Sequence, residues 1–261
     1  MRPIEEGRIM SAGKANCLVC GEPIVYWEEA REVTCVICGK TEIGHSICEA
    51  GHYVCDACHR SEGVDYIMGL CSGSMSVDPV EIMTEAMNDK SIYPNGPEHH
   101  TLVGASLITA YANAGGTLAN GWTKDQALAE LKKRSLQVPG GTCGFWGVCG
   151  AAASVGQALS VINGSSPMTQ EPWAQCQKLT SLVLGRLAEL GGPRCCKRVG
   201  YVALVTAVPF VNELMGSKMQ LPEKITCTFF SRNAECRRNE CPWFPNADAS
   251  VAAAFQPGQA G

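Results

Sequence analysis

Eight candidate metal ligands packed into about forty residues constrain this chain more than any other feature. They run Cys17-x2-Cys20, Cys35-x2-Cys38, Cys48-x3-His52 and Cys55-x2-Cys58. A CxxC knuckle aims two thiolates at one ion, so four such pairs suffice for two tetrahedral zinc sites. Gly21 and Gly39 follow two of the knuckles, where the turn calls for a positive φ. Two ligand pairings satisfy the spacing. Interleaved pairs give Cys17, Cys20, Cys48 and His52 in one site, with Cys35, Cys38, Cys55 and Cys58 in the other. Sequential pairs join the first four cysteines and then the last four ligands. His45 and His59 are spare candidates. Reduced cysteines without metal, or one CxxC acting as a redox dithiol, are the alternatives. Closed four-ligand sites are structural, so the module stabilises, docks or recruits rather than catalyses.

The remaining nine of the sixteen cysteines lie outside that module. In a cytoplasmic chain thiols stay reduced, so CxxC pairs bind metal rather than form disulfides. The start, MRPIEEGRIM, carries acidic residues where a signal peptide needs an apolar run, and no stretch reaches the length of a membrane span. A cytoplasmic protein is expected. The net charge of −4 gives no electrostatic reason to expect nucleic acid or an anionic membrane. The apolar fraction of 46% with only 18% charged residues favours a well-buried core.

Five segments follow: a flexible lead-in over 1–16, a two-zinc module over 17–60, a linker over 61–76, a helical cysteine-rich domain over 77–245, and a disordered tail over 246–261. The fold class is mainly α, with an all-helical C-terminal domain preceded by a small β-rich zinc-binding module. The runs IVYW, EVTCVIC and HYVC suit short strands. From residue 77 the periodicity is helical. Asp78 and Pro79 start a helix with Val80, Met83 and Met87 on one face. HHTLVGASLITAYANAGG is an apolar helix ending at its glycines. TKDQALAELKKRS is amphipathic, with Thr123 as its cap. AAASVGQALSVI, TQEPWAQCQKLTSLVLGRLAEL and VGYVALVTAVPFVNELMG supply three more helices.

The second cysteine group lacks a standard metal spacing. GGTCGFWGVCG carries Cys143 and Cys149 among glycines whose backbone could wrap a cluster or an anion, and a helix start beside Cys149 lowers its pKa. GGPRCCKR places Cys195 and Cys196 beside Arg194, Lys197 and Arg198, cations that favour thiolate and could hold a phosphate or carboxylate. Cys227, Cys236 and Cys241 in the tail need a fourth partner. Cys241-Pro242 is reminiscent of ferredoxin runs without their spacing, and zinc fits as well. His99 and His100 open a helix, where the neutral form suits a base or a ligand. The bland counterparts are packing turns, a solvated helix boundary and polar caps.

The motifs PEHHTLVGASLITAYANAGG, VPGGTCGFWGVCGAAASVGQALSVI, GGPRCCKRVGYVAL and CTFFSRNAECRRNECPWFP resemble those of an uncharacterised domain family of anaerobic bacteria and methanogenic archaea. The resemblance spans about residues 17–245. Members of that family occur with radical-SAM or methyltransferase modules, and many share the N-terminal cysteine pattern. The resemblance therefore implies anaerobic metal or sulfur chemistry and a partner of one of those types, and it supplies no reaction.

Together these features lead to a cysteine-dependent, iron–sulfur enzyme or accessory protein of sulfur or one-carbon metabolism. Two structural zinc ions and a 4Fe–4S cluster are its expected cofactors. Cys143, Cys149, Cys195 and Cys196 are expected to line one site as ligands or as a persulfide relay. His99 or His100 is its acid/base, and Arg194, Lys197 and Arg198 hold a small anionic substrate. Cys227, Cys236 and Cys241 are expected metal ligands. The competing expectation is a non-catalytic zinc-module adaptor.

Overall fold

The computed structural model describes residues 8–9 and 17–257, so the expected flexible lead-in lies almost wholly outside the described residues. Two long strands, β2 (Ile24–Thr34) and β3 (Thr41–Cys48), form an antiparallel hairpin, with the two-residue β1 (Arg8–Ile9) paired along β2. The register shifts between Tyr26 and Arg31, so the hairpin is bulged near its middle.

Eight helices of seven residues or more follow among the described residues: α1 (Asp56–Gly73), α2 (Pro79–Ala86), α3 (His99–Asn113), α4 (Lys124–Ser135), α6 (Gly150–Asn163), α7 (Glu171–Leu190), α8 (Cys196–Met215) and α9 (Ala249–Phe255), with a single-turn α5 (Thr142–Phe145) between α4 and α6. The capping expectations hold. Asp78 accepts hydrogen bonds from the amides of Val80 and Glu81. Thr123 and Gln126 form a reciprocal capping box on α4. Gly191 ends α7 at φ +72°, a conformation glycine adopts without steric cost.

Two boundaries differ from the sequence reading. The expected linker over 61–76 is mostly α1, which begins inside the zinc module. Its buried positions Gly63, Val64, Ile67 and Cys71 face the bundle, a three-to-four-residue spacing that Gly and Ser residues disguise. The expected disordered tail contains α9. Arg186 lies over the Phe255 ring and donates to the Ala254 carbonyl, while the Gln256 side chain bonds the backbone of Ile225 and Pro242. The Ala/Gly composition hides these few anchors.

Helix α3 runs through the centre, buried at every position from His99 to Tyr111, and packs against α1, α2, α4, α6 and α8. Small residues set its distance from α6. A Cβ at Gly104 would sit 2.8 Å from the Ser154 carbonyl oxygen and hydroxyl. The Gly104 amide donates to Ser154 Oγ, which in turn donates to the His100 carbonyl. Gly156 is equally tight against Thr180 of α7. Among the described residues, no helix is long and apolar enough to cross a membrane.

Gly104→Ala is expected to cost about 1–3 kcal/mol through overpacking of the α3–α6 contact. Gly185→Ala, in the exposed interior of α7 with open space around it, is expected to add about 0.5–1 kcal/mol. Denaturant midpoints of the two variants would check both signs.

Candidate metal centres and thiol pocket

The hairpin brings the N-terminal ligands together in interleaved order. Cys17, Cys20, Cys48 and His52 meet at its open end, where β2 begins and β3 finishes. Cys35, Cys38, Cys55 and Cys58 meet at its closed end, against the start of α1. In each set the ligand atoms lie within 4.8 Å of one another. Zinc bonds of about 2.3 Å to sulfur and about 2.05 Å to nitrogen imply tetrahedral edges of about 3.8 Å between sulfurs and about 3.5 Å from sulfur to nitrogen. Cys20 and Cys48 Sγ are 3.8 Å apart, and Cys38 and Cys55 Sγ are 3.7 Å apart. His52 Nδ1 lies 3.3 Å from Cys20 Sγ and 3.9 Å from Cys17 Sγ. Backbone amides of Val19, His52 and Cys55 donate to the sulfurs of Cys17, Cys48 and Cys35. Both sets therefore fit structural zinc. The spare histidines are placed elsewhere: His45 stacks on Phe145, and His59 faces Glu98 and Tyr93.

The second group divides. Cys195 caps α8 and opens, with Cys227, Cys236 and Cys241, onto one small pocket that is partly open to solvent. Phe229, Phe230 and Trp243 wall it, with Lys197, Arg198, Arg232, Asn233 and Arg237 around the thiols. The tail is folded onto itself here: the Cys227 amide donates to the Trp243 carbonyl, and Trp243 Nε1 donates to the Arg198 carbonyl. Each of the four sulfurs faces a backbone amide. Arg198 N lies 3.5 Å from Cys195 Sγ, Phe229 N 3.4 Å from Cys227 Sγ, and Arg238 N 3.5 Å from Cys236 Sγ. The Trp243 amide faces Cys241. These contacts repeat the N–H···S support of the zinc ligands. By contrast, Cys176 donates its own proton to Asn163 Oδ1, as a structural thiol does.

The pocket differs from the two zinc sets. Among the described residues, only the two N-terminal sets bring three or more ligand atoms within 4.8 Å of one another. Two buried donors of the lining, Arg198 Nε and Asn233 Nδ2, have no hydrogen-bond acceptor. Buried unpaired N–H groups are costly unless an acceptor is bound. Four thiols, apolar walls and two unpaired donors lining one pocket could hold a metal centre, zinc or iron–sulfur alike, or an anionic group. Burial pushes the Cys227 thiol up to about 11 and the Cys241 thiol above its usual value.

Cys143 and Cys149 do not join this pocket. Cys143 is exposed on α5, and Cys149 caps α6 on another loop. Nor does the helix start lower the Cys149 thiol: burial pushes it up and outweighs the amides of Ala151 and Ala152. Cys196 is half-buried and does not line the pocket that Cys195 opens onto. Burial pushes its thiol up to about 12, against the weaker pull of the Gly96 amide and Arg194.

The three cations are engaged by the protein itself. Arg194 donates to the Tyr26 hydroxyl, tying the α7–α8 loop to β2. Arg198 donates to the carbonyls of Gly191 and Pro193. Lys197 Nζ contacts the carbonyls of Ile92 and Tyr93 and His99 Nε2, at 3.3, 2.6 and 3.2 Å, and so spends all three of its protons. Burial depresses the Lys197 ammonium to about 8. His99 Nδ1 faces the Gly96 carbonyl and Glu98 Oε1, each at 3.1 Å. Burial pushes the fully buried Glu98 carboxyl up, but His99 and His59 outweigh it and leave it below its usual value. His100 Nδ1 faces the Val138 carbonyl, its ring filling the space where a Cβ on Gly150 would stand. Burial lowers the pKa of both histidines. Sequence reasoning passed over Asn233, Phe229 and Trp243, which carry no spacing signal. It assigned Arg198 to substrate rather than to the pocket wall.

A family model matches residues 67–244, described as a family of unknown function, DUF5714. The chain belongs to this family. The match spans the helical domain from within α1 to the pocket wall and leaves the zinc ligands outside. No curated protein and no solved structure matches the chain.

Two outcomes are expected. Cys20→Ser and Cys38→Ser should each lower the zinc content from about two ions per chain to about one, by elemental analysis. The second concerns pH. Folding holds His99 and His100 neutral, so the unfolded chain binds more protons below its own histidine pKa of about 6.5. The contribution of the two histidines should be full above that pH and fall as pH drops toward 5, as thermal midpoints across that range would read.

Proposed function

We propose that the chain is a cysteine-dependent iron–sulfur protein, an enzyme or accessory protein of anaerobic sulfur or one-carbon metabolism. The helical domain carries its chemistry and the two-zinc module supports it. The observation that carries this reading is the convergence of Cys195, Cys227, Cys236 and Cys241 on one pocket with unpaired N–H donors. Cys195 is the fourth partner that the three tail cysteines require. A cluster in that pocket supplies one-electron redox chemistry when bound. This chain's residues would hold it, donate N–H groups to its sulfurs and screen it with Phe229, Phe230 and Trp243. A partner of radical-SAM or methyltransferase type, a cytoplasmic setting and an anaerobic host fit such a centre.

A second reading draws on a different observation. Leu18, Val19, Val36 and Ile37 are exposed at the tips of the first two zinc knuckles. Apolar side chains at such tips suit a non-catalytic adaptor that grips a partner protein.

Anaerobic purification with iron, sulfide and zinc counts separates the two. The iron–sulfur reading expects a brown protein with about four irons and four sulfides per chain. Cys195→Ser or Cys241→Ser should lose the iron and keep the zinc, while Cys143→Ser, Cys149→Ser and Cys196→Ser should keep both. A colourless, iron-free chain holding zinc alone would overturn this reading and favour the adaptor.

A further inference from the structure

We infer that the pocket is an electron-entry port, and that its partner is a small acidic one-electron carrier protein docking over Arg232 and Arg238. The inference rests on the iron–sulfur reading above and adds what the centre exchanges and with whom.

Four cysteines around a four-iron cluster give each iron a protein thiolate. No iron is then left open to bind substrate, so the centre works by outer-sphere electron transfer. That requires a close approach by a redox partner. Cys241 is buried against Trp243, whereas Cys195, Cys227 and Cys236 are each half-buried, and Cys236 sits on a short outer loop between Arg232 and Arg238.

Within a chain of net charge −4, residues 190–245 hold eight Lys or Arg against four Asp or Glu, of which Arg194, Lys197 and Arg198 are engaged inside the protein. The loop from Cys227 to Cys241 holds three arginines against two glutamates. Arg232 and Arg238 are its exposed members beside Cys236. Their guanidinium groups lie over the rings of Phe229 and Phe230, at 5.7 Å in each case, and make no ion pair among the described residues. Arg237, between them, is already engaged by Glu240 and the Leu190 carbonyl. Arg238 occupies the left-handed region at φ +55°, unusual for a branched-chain-sized or larger side chain. In that conformation its amide donates to Cys236 Sγ while its side chain turns outward over Phe230. One residue thus links the outermost ligand to the free cation of the rim. An acidic carrier would be steered to this face and repelled by the rest of the surface. In the exchange, one electron leaves the reduced carrier and enters the cluster, and no bond or proton moves.

Stopped-flow reduction of the anaerobically purified full chain tests this, with a reduced acidic ferredoxin as one probe and reduced methyl viologen, a small cation, as the other. Reduction by ferredoxin should slow roughly 10-fold as salt rises from about 0.05 to 0.5 M, because screening shortens the reach of the arginines. The variant Arg238→Glu, outside the pocket lining, should slow it several-fold at low salt, with iron content and visible absorbance unchanged. Reduction by methyl viologen should not slow in either case. A cluster reduced by ferredoxin at a rate indifferent to salt and to the Arg238 variant would overturn the inference alone. A chain without iron would overturn the iron–sulfur reading and this inference with it. Loss of iron in the Arg238 variant would place that arginine in cluster assembly instead, and so count against the port.

Discussion

The ammonium of Lys197 is the contact on which the arrangement of the pocket depends. It enters the interior from the first turn of α8 and gives its three protons to two carbonyls of the 92–93 segment and to His99. A buried charge is tolerated only with such saturation and an opposite charge nearby, here Glu98 across the imidazole. The result joins the start of α3, the loop before it and the start of α8 in one polar knot. Cys195 stands two residues before Lys197, so its sulfur is aimed by that knot. Asn95 adds to it by accepting from the Cys196 amide.

Much of the helical framework was legible because local chemistry decides it. Asp78, Thr123 and Gly191 act within one turn of the chain, and their roles survive any tertiary arrangement. The zinc ligands were legible for the same reason, since a knuckle is local. Their pairing was not. It depends on the register of β2 with β3, which sets Cys20 beside Cys48. The composition of the second cysteine group was misleading in a more specific way. Cations beside thiols suggest activated thiolates, yet burial dominates at Cys149 and Cys196 and raises both. Arg194, Lys197 and Arg198 spend their charge on the protein itself. The union of Cys195 with the tail crosses the whole of α8, and no spacing rule encodes a contact of that kind.

The zinc module is more than an appendage at the N-terminus. Asp56 receives the Gly140 amide, Arg60 donates to the carbonyls of Leu136 and Val138, His45 stacks on Phe145, and Tyr26 receives Arg194. These contacts hold the glycine-rich 139–148 loop and the approach to Cys195 from the same side. The loop whose cysteines looked chemical thus lies against the module, and its exposed Phe145 and Trp146 belong to that neighbourhood.

Helix α1 carries Cys58 in its first turn and ends fifteen residues later with Cys71 buried in the bundle. One rod therefore belongs to two cooperative units. Any free energy that the second zinc ion gains on binding is free energy that holds α1 helical, and hence free energy available to the bundle; the exchange runs equally in reverse. The metal affinity of the N-terminal site and the melting behaviour of the helical domain are then two readings of one thermodynamic quantity.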